Sequence, residues 1–152
     1  MRLWRLTRAP FVALDGAGAM KHGGRYTPPG VPVVPLASEA GLAVLIAQRY
    51  LPVTRDEWPD DFVLGWTEID ATPVRLADGN ENAVRAAVQS WIAQERSLLA
   101  AVSSRVLPEA DVVLFNPRHS RAGEVPPLQV RRFDFAACLH VPPMLDRFRS
   151  VS

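Results

Sequence analysis

Residues His22 to Ile46 read HGGRYTPPGVPVVPLASEAGLAVLI: a glycine-flanked arginine, a proline-glycine turn, a valine-rich run and an Ala/Leu-rich segment. Gly23 and Gly24 permit positive φ and let a ligand approach the backbone closely. Arg25 offers a rigid fork of donors suited to phosphate or carboxylate, and Tyr26 a flat face for stacking. Pro28, Pro29 and Gly30 read as a turn, because proline presets φ and glycine accepts the left-handed position. Val31 to Leu36 is then expected to be a buried strand, and Ser38 the N-cap of a helix running through Arg49. This arrangement holds a cation at a strand edge beside a helix N-terminus, which suits a phosphorylated ligand. The same residues also fit an ordinary turn carrying a solvated arginine.

Upstream, Arg2 to Thr7 alternates polar and apolar residues as a half-buried strand does, with Trp4 directed to the core. Ala13 to Gly24 contains four glycines with Lys21 and His22, and reads as a mobile loop over Arg25. Downstream, Leu51 to Asp61 is a loop, and Asp61 to Ile69 a strand with Phe62, Leu64 and Trp66 in one phase. Thr72 to Gly79 reads as a connection. Asn80 is the expected N-cap of a helix from Glu81 to about Arg96, whose Val84, Ala87, Val88, Trp91 and Ile92 face the core. Leu98 to Val102 is an apolar strand ending in Ser103-Ser104, where a serine pair ordinarily satisfies backbone groups. Asp111 to Phe115 is another central strand. Asn116-Pro117 opens a turn into the polar loop Arg118 to Arg121, a place where an anion can sit. Leu128 to Phe135 alternates again as a last strand, and Ala136 to Ser152 is a proline-interrupted tail.

A chain of 152 residues, 48% hydrophobic, is long enough for one domain with a real core. The net charge is +1 with acids and bases interspersed, so no attraction to nucleic acid or membrane is expected. The lone cysteine, Cys138, excludes an internal disulfide and fits a reducing cytoplasm. No run approaches the length of a membrane span. His22, His119 and His140 form no metal-ligand spacing, and no metal is expected. GxGxxG, Walker, CxxC, GxSxG and HExxH motifs are absent, which removes several common enzyme classes. About six strands and two helices without βαβ alternation make an α+β domain and exclude a Rossmann fold.

The order of these motifs resembles the RES domain, a bacterial family named for its Arg, Glu and Ser residues. Typical members open on Leu-Trp-Arg and continue through Gly-Glu-Gly to Gly-Gly-Arg-Trp, a Pro-Gly turn, Val-Val-Tyr and a helix ending Leu-Ala-Leu-Leu-Glu. This chain has Leu3-Trp4-Arg5, Gly16-Ala17-Gly18, Gly23-Gly24-Arg25-Tyr26, Gly30, Val33-Val34 and Leu42-Ala43-Val44-Leu45. Later family landmarks, a tryptophan in a helix, a Val-Pro-Ser strand end and Asn-Pro-x-His, correspond to Trp91, Val102-Ser103-Ser104 and Asn116-Pro117-Arg118-His119. The resemblance runs unbroken over about residues 2 to 135, so the chain is expected to be a single domain over 1–152 with a tail from 136.

The resemblance implies an ADP-ribosyltransferase-like core of two small sheets with flanking helices, with NAD held as substrate in the cleft between them. It implies the toxin of a type II toxin–antitoxin module, a glycosyltransferase that cleaves NAD or transfers its ADP-ribose to a protein. The implied partner is an Xre-like antitoxin that blocks the site. Breaking the nicotinamide–ribose bond passes through an oxocarbenium-like state, which calls for a cation on the pyrophosphate, an aromatic wall and a nearby carboxylate. By resemblance Arg25 takes the pyrophosphate, Tyr26 is the wall, Gly24 lets the ligand approach, and Ser104 hydrogen-bonds the ribose or nicotinamide. Two positions depart from the pattern: Pro35 stands where tyrosine is usual and Ile46 where glutamate is usual. Glu39, two helical turns before Ile46, is the expected substitute acid, with Glu95 and Glu109 weaker candidates. The alternative implied by the departures is a binding module that holds NAD or the antitoxin without turnover.

Overall fold

Asp111–Phe115 is apolar at every position after its first, as a strand buried on both faces must be, and it lies at the heart of the molecule. The computed structural model describes residues 1–139. The tail expected from Ala136 therefore lies mostly outside the described residues. With this strand the described chain forms ten strands and α-helices: β1 (Arg2–Arg8), α1 (Ala17–His22), β2 (Val34–Ala37), α2 (Ala40–Gln48), β3 (Phe62–Glu68), β4 (Val74–Arg75), α3 (Glu81–Ala93), β5 (Leu99–Ser103), β6 (Asp111–Phe115) and β7 (Gln129–Arg132). Among the described residues no helix is long and apolar enough to cross a membrane.

The strands form one seven-stranded sheet in the order β4-β5-β6-β2-β1-β3-β7. All neighbours are antiparallel except β4 and β5. The α+β class holds, but the two expected sheets are joined. The join is slight: β1 and β3 pair over seven residues, whereas β1 meets β2 only at Trp4↔Ala37. So β4-β5-β6-β2 and β1-β3-β7 are two halves that diverge from a single bridge. Pro35, exposed in β2, has no N–H to offer a second neighbour.

Helix α3 packs Val88, Trp91 and Ile92 onto β5 and β6, where Ala100, Val102, Val112 and Leu114 are buried. Asn80 caps it as expected, its side chain accepting from the Ala83 N–H at 2.9 Å. The helix stops at Ala93, short of Arg96, where Glu95 turns the chain at φ 47°. Helix α2 lays Leu42 and Ala43 against Leu6, Ala37 and Leu64. The Trp91 indole donates to the Ser97 hydroxyl at 2.9 Å, which satisfies its one donor inside the core.

Four expectations are revised. The supposed loop before Arg25 contains α1, because Gly16 and Gly23 stand at its two ends with φ 69° and 67° while Ala17, Ala19 and Met20 fill it. Ser38 does not cap α2. Its hydroxyl accepts from the Asp111 N–H at 3.0 Å, tying the end of β2 to the start of β6, and Glu39 occupies the N-cap position. The connection after Thr72 contributes β4, parallel to β5. The last strand ends at Arg132, and Asp134 caps a short 3-10 turn that buries Phe135 against Phe62 and Phe133 at 5.0 and 5.1 Å.

Leu114 is fully buried between the α3 layer and the central strands. Leu114→Ala is expected to lower unfolding stability by about 2–5 kcal/mol, read as a lower urea midpoint at unchanged slope.

Candidate active site

Where β1 and β2 diverge the structure holds a cavity of about 830 Å³. Trp4, Arg5, Leu6 and Thr7 of β1 form one wall and Pro35, Leu36 and Ala37 of β2 another. Helix α1 and the segment through Tyr26 cover it, α2 supplies Ala43, Ile46 and Ala47 with its C-cap Arg49, and Ser104 closes the end beyond β5. The volume lies within the range that holds drug-sized ligands and cofactors. Trp4 is both core and wall, since its ring also packs on Trp66 at 5.8 Å.

The Arg25 segment is shaped by its neighbours. Gly23, at φ 67°, has no room for a side chain: a Cβ there would sit 2.8 Å from Pro29. Gly24 lies over open space, so its part is to leave the cavity wall bare. Its N–H donates to the Thr27 carbonyl at 2.9 Å. Arg85 of α3 donates from one guanidinium nitrogen to the carbonyls of Gly24 and Arg25, at 2.8 and 2.7 Å. One side chain on a capped helix thus anchors the backbone that presents Arg25. Arg25 itself lies 5.6 Å from the Tyr26 ring centroid and makes no ion pair among the described residues.

Tyr26 is buried, and burial is the main force holding its phenol above the ordinary value, with Arg25, Arg49 and Arg105 opposing. It therefore remains a neutral aromatic wall at physiological pH. Ser104 does two things. Its Oγ accepts from the Leu107 N–H at 3.3 Å, as a strand-end serine does, and it still lines the cavity. A hydroxyl that accepts one bond retains its hydrogen for donation.

The structure brings Gly24, Arg25, Tyr26 and Ser104 to one cavity and leaves Glu39 out of it. Glu39 is exposed at the start of α2 and is not among the lining residues; Glu95 and Glu109 are likewise exposed outside it. The departures Pro35 and Ile46 both line the cavity. The carboxylate among the lining residues is Asp15, whose Oδ1 accepts from the Ala17 N–H at 3.0 Å. Asp15 also acts on Arg5, whose pKa is lowered mainly by burial and raised by that charge. Neither stands out in the sequence as a site residue: Arg5 reads as one member of an alternating strand and Asp15 as a loop residue. Only the convergence of β1 with the start of α1 brings them together. Arg118 and Arg121, in the supposed anion loop, instead hold backbone and Glu124: Arg118 reaches the Gly30 carbonyl, and Arg121 pairs with Glu124 at 2.9 Å.

The RES domain family profile matches residues 2–136, and the chain belongs to this family. It is 35% identical over 134 residues to the "Prs ADP-ribosylating toxin" of Sphingobium sp. (strain YBL2), covering 79% of this chain and 82% of that one. It is 28% identical over 137 residues to "Toxin Res" of Pseudomonas putida, covering 80% and 88%. Among solved structures it superimposes on a chain of the M. tuberculosis MbcT–MbcA toxin–antitoxin complex with a TM-score of 0.69. That match has 18% identity and covers 90% of this chain and 85% of the other, a likeness of fold.

Two outcomes are expected from the geometry. Arg85→Ala should speed hydrogen exchange at the Gly24 amide, which is bonded to the Thr27 carbonyl, by about tenfold or more, while Arg105→Ala should not. The raised phenol of Tyr26 favours the neutral form in the folded state. Its contribution to stability is full below the unfolded value of about 10 and lost as pH rises through the folded value. In an absorbance titration the Tyr26→Phe variant should lack the later-ionising component.

Proposed function

We propose that this protein is the toxin of a toxin–antitoxin pair and that its cavity takes NAD as substrate, splitting it or passing its ADP-ribose to an acceptor. The observation that carries this is the meeting of the adjacent pair Arg25 and Tyr26 with Ser104, from a distant part of the chain, on one dinucleotide-sized cavity at the seam of the sheet. The toxin names of the two relatives support the same reading. Arg25, which makes no ion pair and no side-chain hydrogen bond among the described residues, is suited to the pyrophosphate as a bidentate cation. Gly24 leaves room for it, Tyr26 offers the nicotinamide or ribose a flat neutral wall, and Ser104 donates to a sugar or amide oxygen.

In the reaction the bond between ribose C1′ and the nicotinamide nitrogen breaks, and its electron pair leaves on nicotinamide. A lone pair of the acceptor forms the new bond to C1′, and the acceptor's proton passes to solvent. The developing cation at C1′ requires negative charge nearby. With Ile46 on α2 apolar, Asp15 is the lining carboxylate that can supply it. The proposed partner is an Xre-like antitoxin, and the proposed place of action is the cytoplasm, in keeping with the single cysteine and the absence of a membrane-spanning helix among the described residues.

Calorimetry with NAD should show binding that Arg25→Ala weakens by about 1.5–3 kcal/mol, the worth of a charged hydrogen bond. Nicotinamide release from NAD, with and without cell lysate, tests the chemistry. Asp15→Asn should slow it by about 10²–10³, the usual cost of losing charge aimed at a transition state, whereas Glu39→Gln should match the parent. Expression alone should arrest growth and lower cellular NAD or mark a protein, and co-expression of the neighbouring antitoxin should restore growth. Pro35 and Ile46 in the wall favour one second reading, a module that binds NAD without turnover. Binding without nicotinamide release by the parent, with release created by Ile46→Glu, would establish it.

A further inference from the structure

The cavity has a charge that plain NAD does not match. Its lining includes Arg5, Lys21, Arg25 and Arg49 as permanent cations and Asp15 as carboxylate, an excess of three positive charges. Lys21, Arg25 and Arg49 make no ion pair and no side-chain hydrogen bond among the described residues. By contrast Arg2, Arg8, Arg75 and Arg121 are each joined to an acid at 2.6–2.9 Å. NAD carries two phosphate charges, one of them offset by its nicotinamide cation, for a net charge of about −1. A phosphomonoester adds about −1.5 to −2 near neutral pH.

Helix α2 explains where the excess arises. Ile46 lies on α2 and Arg49 is its C-cap, three residues on with the backbone still in the helical region, so both turn to the same side, and both line the cavity. The helix therefore offers an apolar residue where the family pattern has an acid, and a cation about one turn further on. Arg49 and Arg25 line the same cavity as Tyr26, and the charge of each opposes the burial that raises the Tyr26 phenol. A cation at a helix C-terminus also interacts favourably with the helix dipole, but that gives no reason for it to border a cavity.

We propose that the cavity prefers a nicotinamide dinucleotide carrying a third phosphate, as NADP does, over NAD, with Arg49 as the specificity-determining residue. This rests on the reading of the cavity as a dinucleotide site. The same phosphate chemistry could come from a free anion beside NAD, so the test separates the two sources.

Calorimetry with the purified full chain would compare NADP, NAD, and NAD in the presence of inorganic phosphate. NADP should bind about tenfold or more tightly than NAD, the effect of one charge-assisted phosphate contact, and its affinity should fall more steeply with salt. Arg49→Gln should weaken NADP about tenfold more than it weakens NAD, and Arg49→Lys should restore part of the difference. Equal affinities, or a preference for NAD, would overturn this inference while leaving the NAD reading intact. Tightening of NAD by phosphate to the NADP level would overturn it in favour of a separate anion. Failure of both dinucleotides to bind would overturn the underlying reading and this inference with it.

Discussion

The arrangement of the whole molecule depends on how little β1 and β2 share. Each has a full partner on its other side, β3 for β1 and β6 for β2, and each is held firmly there. Between them only Trp4 and Ala37 stand opposite. Backbone groups that leave a ladder must find other partners or water. A sheet that parts along such a line opens a gap with ordered walls, and here that gap is the cavity. Pro35 belongs to this seam, because a residue without an N–H cannot extend a ladder and is tolerated where a strand has lost a neighbour. The residue that departs from the family pattern is thus compatible with the opening it lines.

The second dependence is on rigid support for a flexible segment. Gly23 and Gly24 would leave Arg25 poorly defined if the chain relied on them alone, since glycine resists ordering more than any other residue. The Arg85 bonds to two successive carbonyls, the Gly24–Thr27 bond and the packing of Tyr26 on the α3 layer remove that freedom. Helix α3 serves the core through Val88, Trp91 and Ile92 and the site through Arg85, which stands one turn before Val88. Ser104 combines the same two duties in a single hydroxyl, and a strand-end bond does not exclude a place in a cavity wall.

Much was legible in the sequence by itself. Elements with a strong local signal, the alternation of Arg2 to Thr7, the apolar runs at Leu98 and Asp111, and Asn80 ahead of a helical stripe, were found close to where they were expected. The cation-bearing turn, its neighbour Tyr26 and the serine at a strand end were legible too, because their motif order is linear. The tertiary structure decided everything that needs two distant segments at once. Ser38 has the residue type of a helix cap, yet it bonds Asp111, a strand that only the sheet brings near it. Val74 and Arg75 show no strand pattern and become one through parallel pairing with β5. The search for an acid along α2 pointed to Glu39, since distance along a helix is all a sequence offers; the acid on the cavity wall is Asp15, from a different element. Local patterning follows from side-chain periodicity and is written in the chain, whereas the composition of a cavity follows from which strands part and what covers the gap, which no single segment encodes.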